Sequence, residues 1–180
     1  MNQAELDLLV LTAQQGNKKA FGLLFKHFQK PLTHFAYKLC NNKELANDAT
    51  QETWIKVSRN IRQLNDQRAF RSWLYKLLRW NVIDYQRKNK FEFDLIDESI
   101  TEQNIDDNFY LNHQYEEDET LSLAINSLPT VEKQIIHLFY LQELKITEIS
   151  IVLDIAVGTI KSRLNRARKM LKQKYHNLEK

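Results

Sequence analysis

An all-α protein is expected from this sequence: two small helical domains joined by a flexible acidic linker, the second carrying a helix-turn-helix. Three observations predict it. Apolar residues recur at helical spacing through most of the 180 residues. Gly and Pro number only three and two, which leaves few of the tight turns that sheets need. Charge, finally, is sorted into blocks. Residues 1–90 carry 16 Lys and Arg against 7 Asp and Glu, residues 91–132 carry 12 Asp and Glu with no Lys or Arg, and residues 133–180 carry 10 against 4. Two basic blocks around one acidic block suit two contacts with a polyanion, although like-charged runs are more often solvated faces. The boundaries are placed at 1–90, 91–117 and 118–180.

The first block reads as successive amphipathic helices. Leu6, Leu9, Val10 and Ala13 form one stripe, closed by Gly16-Asn17. Phe21, Leu24, Phe25, Phe28, Leu32, Phe35, Ala36 and Leu39 carry the rhythm through Pro31, which predicts a new helix or a kink there. After a break at Asn41-Asn42, Leu45, Ala49, Thr53 and Val57 repeat at i, i+4. The polar stretch Arg62 to Arg68 is a loop. Phe70, Leu74, Leu77, Asn81 and Asp84 share a face of the next helix, which turns basic at Arg87-Lys88-Asn89-Lys90.

Residues 91–117 lack a sustained period. Their composition buries too little apolar surface to offset ordering entropy, so they are read as linker, with a short helix expected near Tyr115. Beyond them, Pro129 is placed in the first turn of a helix whose apolar face is Val131, Ile135, Leu138 and Phe139. Thr147 is the expected N-cap of a short helix bearing Ile149, Val152 and Leu153. A turn at Asp154-Ile155-Ala156 leads into a longer helix lined by Ile160, Leu164, Ala167 and Leu171.

Two helices across a brief turn, the second rich in Arg, Lys, Ser and Thr opposite its apolar stripe, describe a helix-turn-helix. Thr159, Ser162, Arg163 and Arg166 lie near the start of that helix, where side chains reach base edges, and Arg can bond guanine bidentately. Lys161, Arg168, Lys169 and Lys172 are placed for phosphates. By themselves these residues also fit a solvated basic face.

Leu128-Pro129, the run Ile146-Thr147-Glu148-Ile149-Ser150-Ile151-Val152-Leu153 and the run from Val157-Gly158-Thr159-Ile160-Lys161-Ser162-Arg163 to Arg168 closely resemble the C-terminal DNA-binding domain of RNA polymerase sigma factors. The resemblance implies that residues 118–180 are sigma region four, which reads the minus-thirty-five promoter element, with Thr159, Lys161, Ser162, Arg163, Arg166, Arg168 and Lys169 on DNA. Asp154 stands where the family has Gly, and Asp tolerates a left-handed backbone. Ala156 replaces a small polar residue, so a capping hydroxyl worth about 1 kcal/mol is missing.

The first block resembles sigma region two. Ala20-Phe21 through Phe35 resembles its opening helices, and Asp48-Ala49-Thr50-Gln51-Glu52-Thr53-Trp54 resembles the helix that docks on the polymerase clamp, which implies docking through Glu44, Asp48, Gln51 and Glu52. Glu44, Asp48 and Glu52 form an acidic stripe able to complement a basic partner. Phe70-Arg71-Ser72-Trp73-Leu74-Tyr75 and Ile83-Asp84 resemble the promoter-melting, minus-ten-reading segment. That implies Arg59, Arg62, Arg71, Lys76, Arg79 and Trp80 as DNA-binding residues, among the interleaved aromatics Trp54, Trp73 and Tyr75. Trp80 replaces a small polar residue. Asn60 to Arg68 matches the family's specificity loop, which holds a flipped base. A short acidic linker with no further domain places the resemblance in the extracytoplasmic-function group, group four. It implies core RNA polymerase, promoter DNA and an anti-sigma factor as partners.

No catalytic constellation is expected, and no cofactor or small-molecule substrate. The five histidines and Cys40 show no metal-ligand spacing, and no Gly-rich phosphate loop occurs. No secretory signal or run of about 18 apolar residues is visible, so a cytoplasmic protein is expected. The competing reading is an independent helix-turn-helix repressor or activator. It would require a dimer surface or receiver domain, and co-purification with core polymerase separates the two.

Overall fold

The computed structural model describes residues 1–94 and 119–178, which are helical apart from short turns. The chain divides into two compact units between residues 101 and 102.

The first unit holds α1 (Gln3–Gln14), α2 (Lys18–Cys40), α3 (Lys43–Asn60) and α4 (Phe70–Asp94). An asparagine caps each of the first three helices. Asn2 accepts the Glu5 N–H at 2.9 Å while Glu5 accepts the Asn2 N–H at 3.0 Å, and Asn17 and Asn42 accept from Ala20 and Leu45. Asn41 ends α2 in the left-handed region with φ 51°, the conformation Asn tolerates best after Gly. Pro31 does not start a new helix. Phe28 before it and Leu32 and Phe35 after it are buried on one face, so packing holds both halves together across the lost hydrogen bond.

Leu45, Ala49, Thr53 and Val57 are all buried, as their i, i+4 spacing predicts. On α4 the expected face is corrected. Phe70, Leu74, Leu78, Asn81 and Val82 are buried, whereas Leu77 is half-buried and Asp84 exposed, because the core-facing arc is centred one position away from the stripe expected. Phe28 meets Phe70 at 5.7 Å and Phe35 meets Tyr75 at 5.6 Å, both edge-on, tying α2 to α4. The α3–α4 seam is polar at one point. The Asn81 amide donates to the Thr53 hydroxyl at 2.8 Å and accepts from the Lys56 ammonium at 2.6 Å, which satisfies both ends of a buried amide. The expected loop from Arg62 to Arg68 contains two single 3-10 turns, Ile61–Gln63 and Gln67–Ala69. α4 continues past Lys90 to Asp94. The rest of the expected linker, and the helix expected near Tyr115, lie outside the described residues.

The second unit holds α5 (Glu119–Asn126), α6 (Thr130–Ile136), a π-turn at His137–Leu141, α7 (Ile146–Leu153) and α8 (Val157–Leu178). Its core is Ile135, Ile136 and Leu138 against Leu144, Ile149, Val152, Leu153, Ile160, Leu164 and Ala167. Pro129 is the N-cap of α6, one place earlier than expected, with its carbonyl accepting the Lys133 N–H at 2.9 Å. Lys145, not Thr147, is the N-cap of α7. The Glu148 carboxylate accepts the Lys145 N–H at 2.7 Å and Ile149 N–H bonds the Lys145 carbonyl, so the helix starts two residues earlier and leaves Thr147 exposed inside it.

Asp154 ends α7 with φ 58° and ψ 45°, and Ser150 bonds the Ile155 carbonyl at 2.6 Å across the turn. Asp154→Val, which puts a β-branched residue in the left-handed region, is expected to cost about 1–2 kcal/mol. Asp154→Gly is expected to stay within about 0.5 kcal/mol, relieved strain balancing added unfolded-state entropy. Chemical denaturation of the two variants checks this.

Candidate nucleic-acid interface

α7, the Asp154 turn and α8 form the expected helix-turn-helix, with Ile160, Leu164 and Ala167 buried beneath it and Leu171 half-buried. This stripe leaves Lys161, Ser162, Asn165, Lys169 and Lys172 exposed on the outer side of α8. Ser162 donates its hydroxyl to the Thr159 carbonyl at 2.9 Å, leaving its lone pairs outward. Thr159 is exposed in the first turn. Lys161, Asn165, Lys169 and Lys172 have no side-chain partner among the described residues.

Three of the arginines assigned to DNA are tied to other side chains of the second unit. Glu132 on α6 is 1% exposed. Arg163 Nη1 lies 3.1 Å from its Oε1, and Arg166 Nη2 bonds the same oxygen. Arg163 flanks the apolar stripe of α8, and Arg166 is one turn along on the same side, so both reach inward while keeping part of each side chain in solvent. Burial raises the Glu132 carboxyl, but hydrogen bonding and charge from Arg166, with Arg163, outweigh it and leave its pKa below the ordinary value. On the opposite flank, Arg168 Nε donates to the Tyr140 hydroxyl at 2.8 Å, and its guanidinium sits 5.3 Å from the Phe139 ring centre. Phe139 and Tyr140 belong to the π-turn. Glu132 and Tyr140 were missed in the sequence, where nothing local marks either as an arginine's partner.

On α4 the outer face presents Trp73, Lys76, Trp80 and Arg87, with Trp80 51% exposed. The aromatics separate sharply. Trp54 and Tyr75, expected beside the DNA-binding cations, are 5% and 1% exposed and belong to the core, Trp54 against Phe21 and Phe25 at 5.9 and 5.1 Å. Arg59 and Arg62 are exposed, whereas Arg71 and Arg79 are half-buried and engaged within the protein. Arg68 is paired with Asp66 through two side-chain hydrogen bonds of 3.0 and 3.1 Å.

On α3, Glu44, Asp48 and Gln51 are exposed on one face. Glu52 sits at its edge, half-buried and 3.7 Å from Lys56. Ile55, also exposed, shares that face and was missed, because an isolated apolar residue among charges carries no sequence signal.

A family pattern described as sigma-70 region 2 matches residues 24–92, and one described as sigma-70, region 4 matches residues 118–171. The chain is 31% identical to an ECF RNA polymerase sigma-E factor of Haemophilus influenzae, over 94% of this chain and 95% of the relative. It is 27% identical to the ECF RNA polymerase sigma factor SigW of Bacillus subtilis, over 92% and 94%. Among solved structures, the sigma factor RpoE of Bartonella quintana, in complex with the anti-sigma factor NepR, superposes with a TM-score of 0.65 at 23% identity, covering 87% of this chain and 96% of that one, and so shares the fold.

Proposed function

This chain belongs to the extracytoplasmic-function (ECF) RNA polymerase sigma factors, which direct promoter-specific transcription initiation, and we propose how its surfaces divide that work. Residues 118–180 read the minus-thirty-five element through the outer face of α8. The observation that carries this is the set of exposed polar and cationic side chains there, Lys161, Ser162, Asn165, Lys169 and Lys172, while the three flanking arginines are anchored to Glu132 and Tyr140. Ser162 and Asn165, with Thr159 and Lys161, are the base readers. Lys169 and Lys172 follow phosphates, and Arg163, Arg166 and Arg168 hold the helix in place with their exposed edges toward the backbone.

Residues 1–90 melt the promoter and read the minus-ten element. Trp80 supplies a stacking surface, Lys76 a cation one turn away on the same helix, and Arg59 and Arg62 further exposed cations, with Arg71 and Arg79 in more buried positions. Glu44, Asp48, Gln51, Glu52 and Ile55 dock on core polymerase. The chain is not an enzyme and acts in the cytoplasm with the polymerase. A likeness of fold to a sigma factor seen with its anti-sigma factor supports a proteinaceous inhibitor as a further partner.

The test is transcription reconstituted with core polymerase on a promoter library randomised at both elements. Lys161→Ala, Ser162→Ala and Asn165→Ala are expected to change base preference at the upstream element only, and Lys169→Ala and Lys172→Ala to weaken all sequences alike with a shallower salt dependence. Base preferences untouched by the first three would assign readout elsewhere. Reversing the charges of Asp48 and Glu52 together is expected to weaken core binding about fivefold to tenfold, with stability lowered by no more than about 1 kcal/mol through the lost Glu52–Lys56 pair. Equal core affinity would remove α3 from the docking surface.

A further inference from the structure

We propose that the end of α1 is a positioning device for the loop at residues 60–68, with Gln14 as its hook. Gln14 Nε2 donates to the carbonyls of Ile61 at 2.9 Å and Leu64 at 2.7 Å, and its Oε1 accepts from Gln67 Nε2 at 2.8 Å. One side chain thus uses both amide hydrogens and its carbonyl on three points of a loop about 50 residues away in sequence. Ile61 and Leu64 bracket the first 3-10 turn and Gln67 opens the second, so the bonds fix both ends of the segment between them. The Ile61 carbonyl already accepts the Leu64 N–H at 3.3 Å to close the first 3-10 turn, so Gln14 adds a second bond there and reaches on to the Leu64 carbonyl.

Two residues beyond, Gly16 lets the chain pass under the loop. It has φ +90°, and a Cβ there would stand 3.1 Å from the Arg62 guanidinium. The end of α1 and the turn after it therefore meet the loop twice, through Gln14 on its backbone and through Gly16 beside the cation of Arg62. α1 also precedes residues 24–92, the span that matches region 2, so the hook is built by a part of the chain outside that match.

This inference rests on reading residues 60–68 as the loop that selects a minus-ten base. On that reading, Gln14 sets base preference without touching DNA. The hook is uncharged, so its loss alters preference and leaves the salt dependence of binding as it was, a combination that a lost phosphate contact does not give.

The experiment uses holoenzyme on promoters carrying each base at each minus-ten position. Gln14→Met keeps length and volume but removes every hydrogen bond. It is expected to reduce the ratio between best and worst base at the affected position about tenfold, with core affinity, minus-thirty-five preference and salt slope unchanged. Gln67→Ala, which removes one bond of the three, is expected to shift preference the same way by less, and it serves as the second reading should Gln14→Met fold poorly. Gln63→Ala and Asn65→Ala, exposed on the loop itself, test the underlying reading. Altered preference in these two with none in the Gln14 and Gln67 variants overturns the hook alone. Unaltered preference in the loop variants overturns the loop's role, and the hook with it.

Discussion

The double variant Arg163→Ala/Arg166→Ala is expected to lose about 3–5 kcal/mol of stability in the C-terminal unit, the cost of leaving a buried charge unpaired. The asymmetry of the cluster sets the size. Glu132 is 1% exposed, while the Arg163 and Arg166 side chains are 35% and 59% exposed. Removing the acid leaves two cations that water can solvate. Removing both cations leaves a buried carboxylate with no counter-charge and only its own backbone N–H as a partner. Glu132→Met alone should therefore cost less than the double variant, and adding it to the double variant should restore much of the loss. pH gives a second signature. In the wild-type protein the folded pKa of Glu132 lies below its unfolded value, so the pair stabilises the fold above the unfolded pKa and that contribution fades as pH falls through the folded pKa. With both arginines gone, burial, the largest influence on this carboxyl, outweighs its remaining hydrogen bond to the Glu132 backbone N–H, and the folded pKa lies above the unfolded one. The sign then inverts, and the variant becomes relatively more stable as pH falls. Calorimetry of the four proteins from mildly acidic to neutral pH decides the matter. A double variant as stable as wild type, with or without Glu132→Met, would return both arginines to DNA contact alone.

The sequence showed the helix-turn-helix, and why it did is physical. Leu45, Ala49, Thr53 and Val57, or Ile160, Leu164 and Ala167, recur at the helical period, and a recurring apolar face must be buried against something. Asp154 in the left-handed region was equally legible, since few residue types sit there without strain. What stayed hidden was polar and non-local. Glu132 is the last acid of the acidic block and stands beside Val131 on a helix read only for its apolar face, yet it is among the most buried side chains in the second unit, held by partners 31 and 34 residues away. Gln14 looks like the frayed end of a helix, and only the fold brings it to Ile61, Leu64 and Gln67. Hydrophobic periodicity says which face turns inward. It does not say which charged or amide side chain finds its partner across the chain.

The aromatics show the same limit, and they carry the second large effect. Tyr75 and Trp80 look alike as members of a basic-aromatic segment, whereas Phe70 stands on the apolar stripe of its helix. In the fold, Phe70 is fully buried between Phe28 at 5.7 Å and Trp73 at 6.1 Å, and Tyr75 is buried against Phe35, whereas Trp80 stands half in solvent beside Lys76. Phe70→Ala should cost about 3–5 kcal/mol of stability by opening a cavity, and should lower every activity together. Trp80→Ala removes no core atoms, so its stability should stay within about 0.5 kcal/mol of wild type. If the Trp80 indole stacks on an unpaired base, its loss should weaken holoenzyme binding to fork-junction DNA with a single-stranded minus-ten segment by about 1–3 kcal/mol, while fully duplex DNA is bound as before. Trp80→Phe keeps an aromatic face and should recover part of the affinity. Measured together, denaturation and fork-junction binding separate a base platform from a core residue. Equal affinity of Trp80→Ala and wild type for the single-stranded segment, at equal stability, would leave the exposed indole without a role in promoter melting and shift the contact to Lys76 and Arg62.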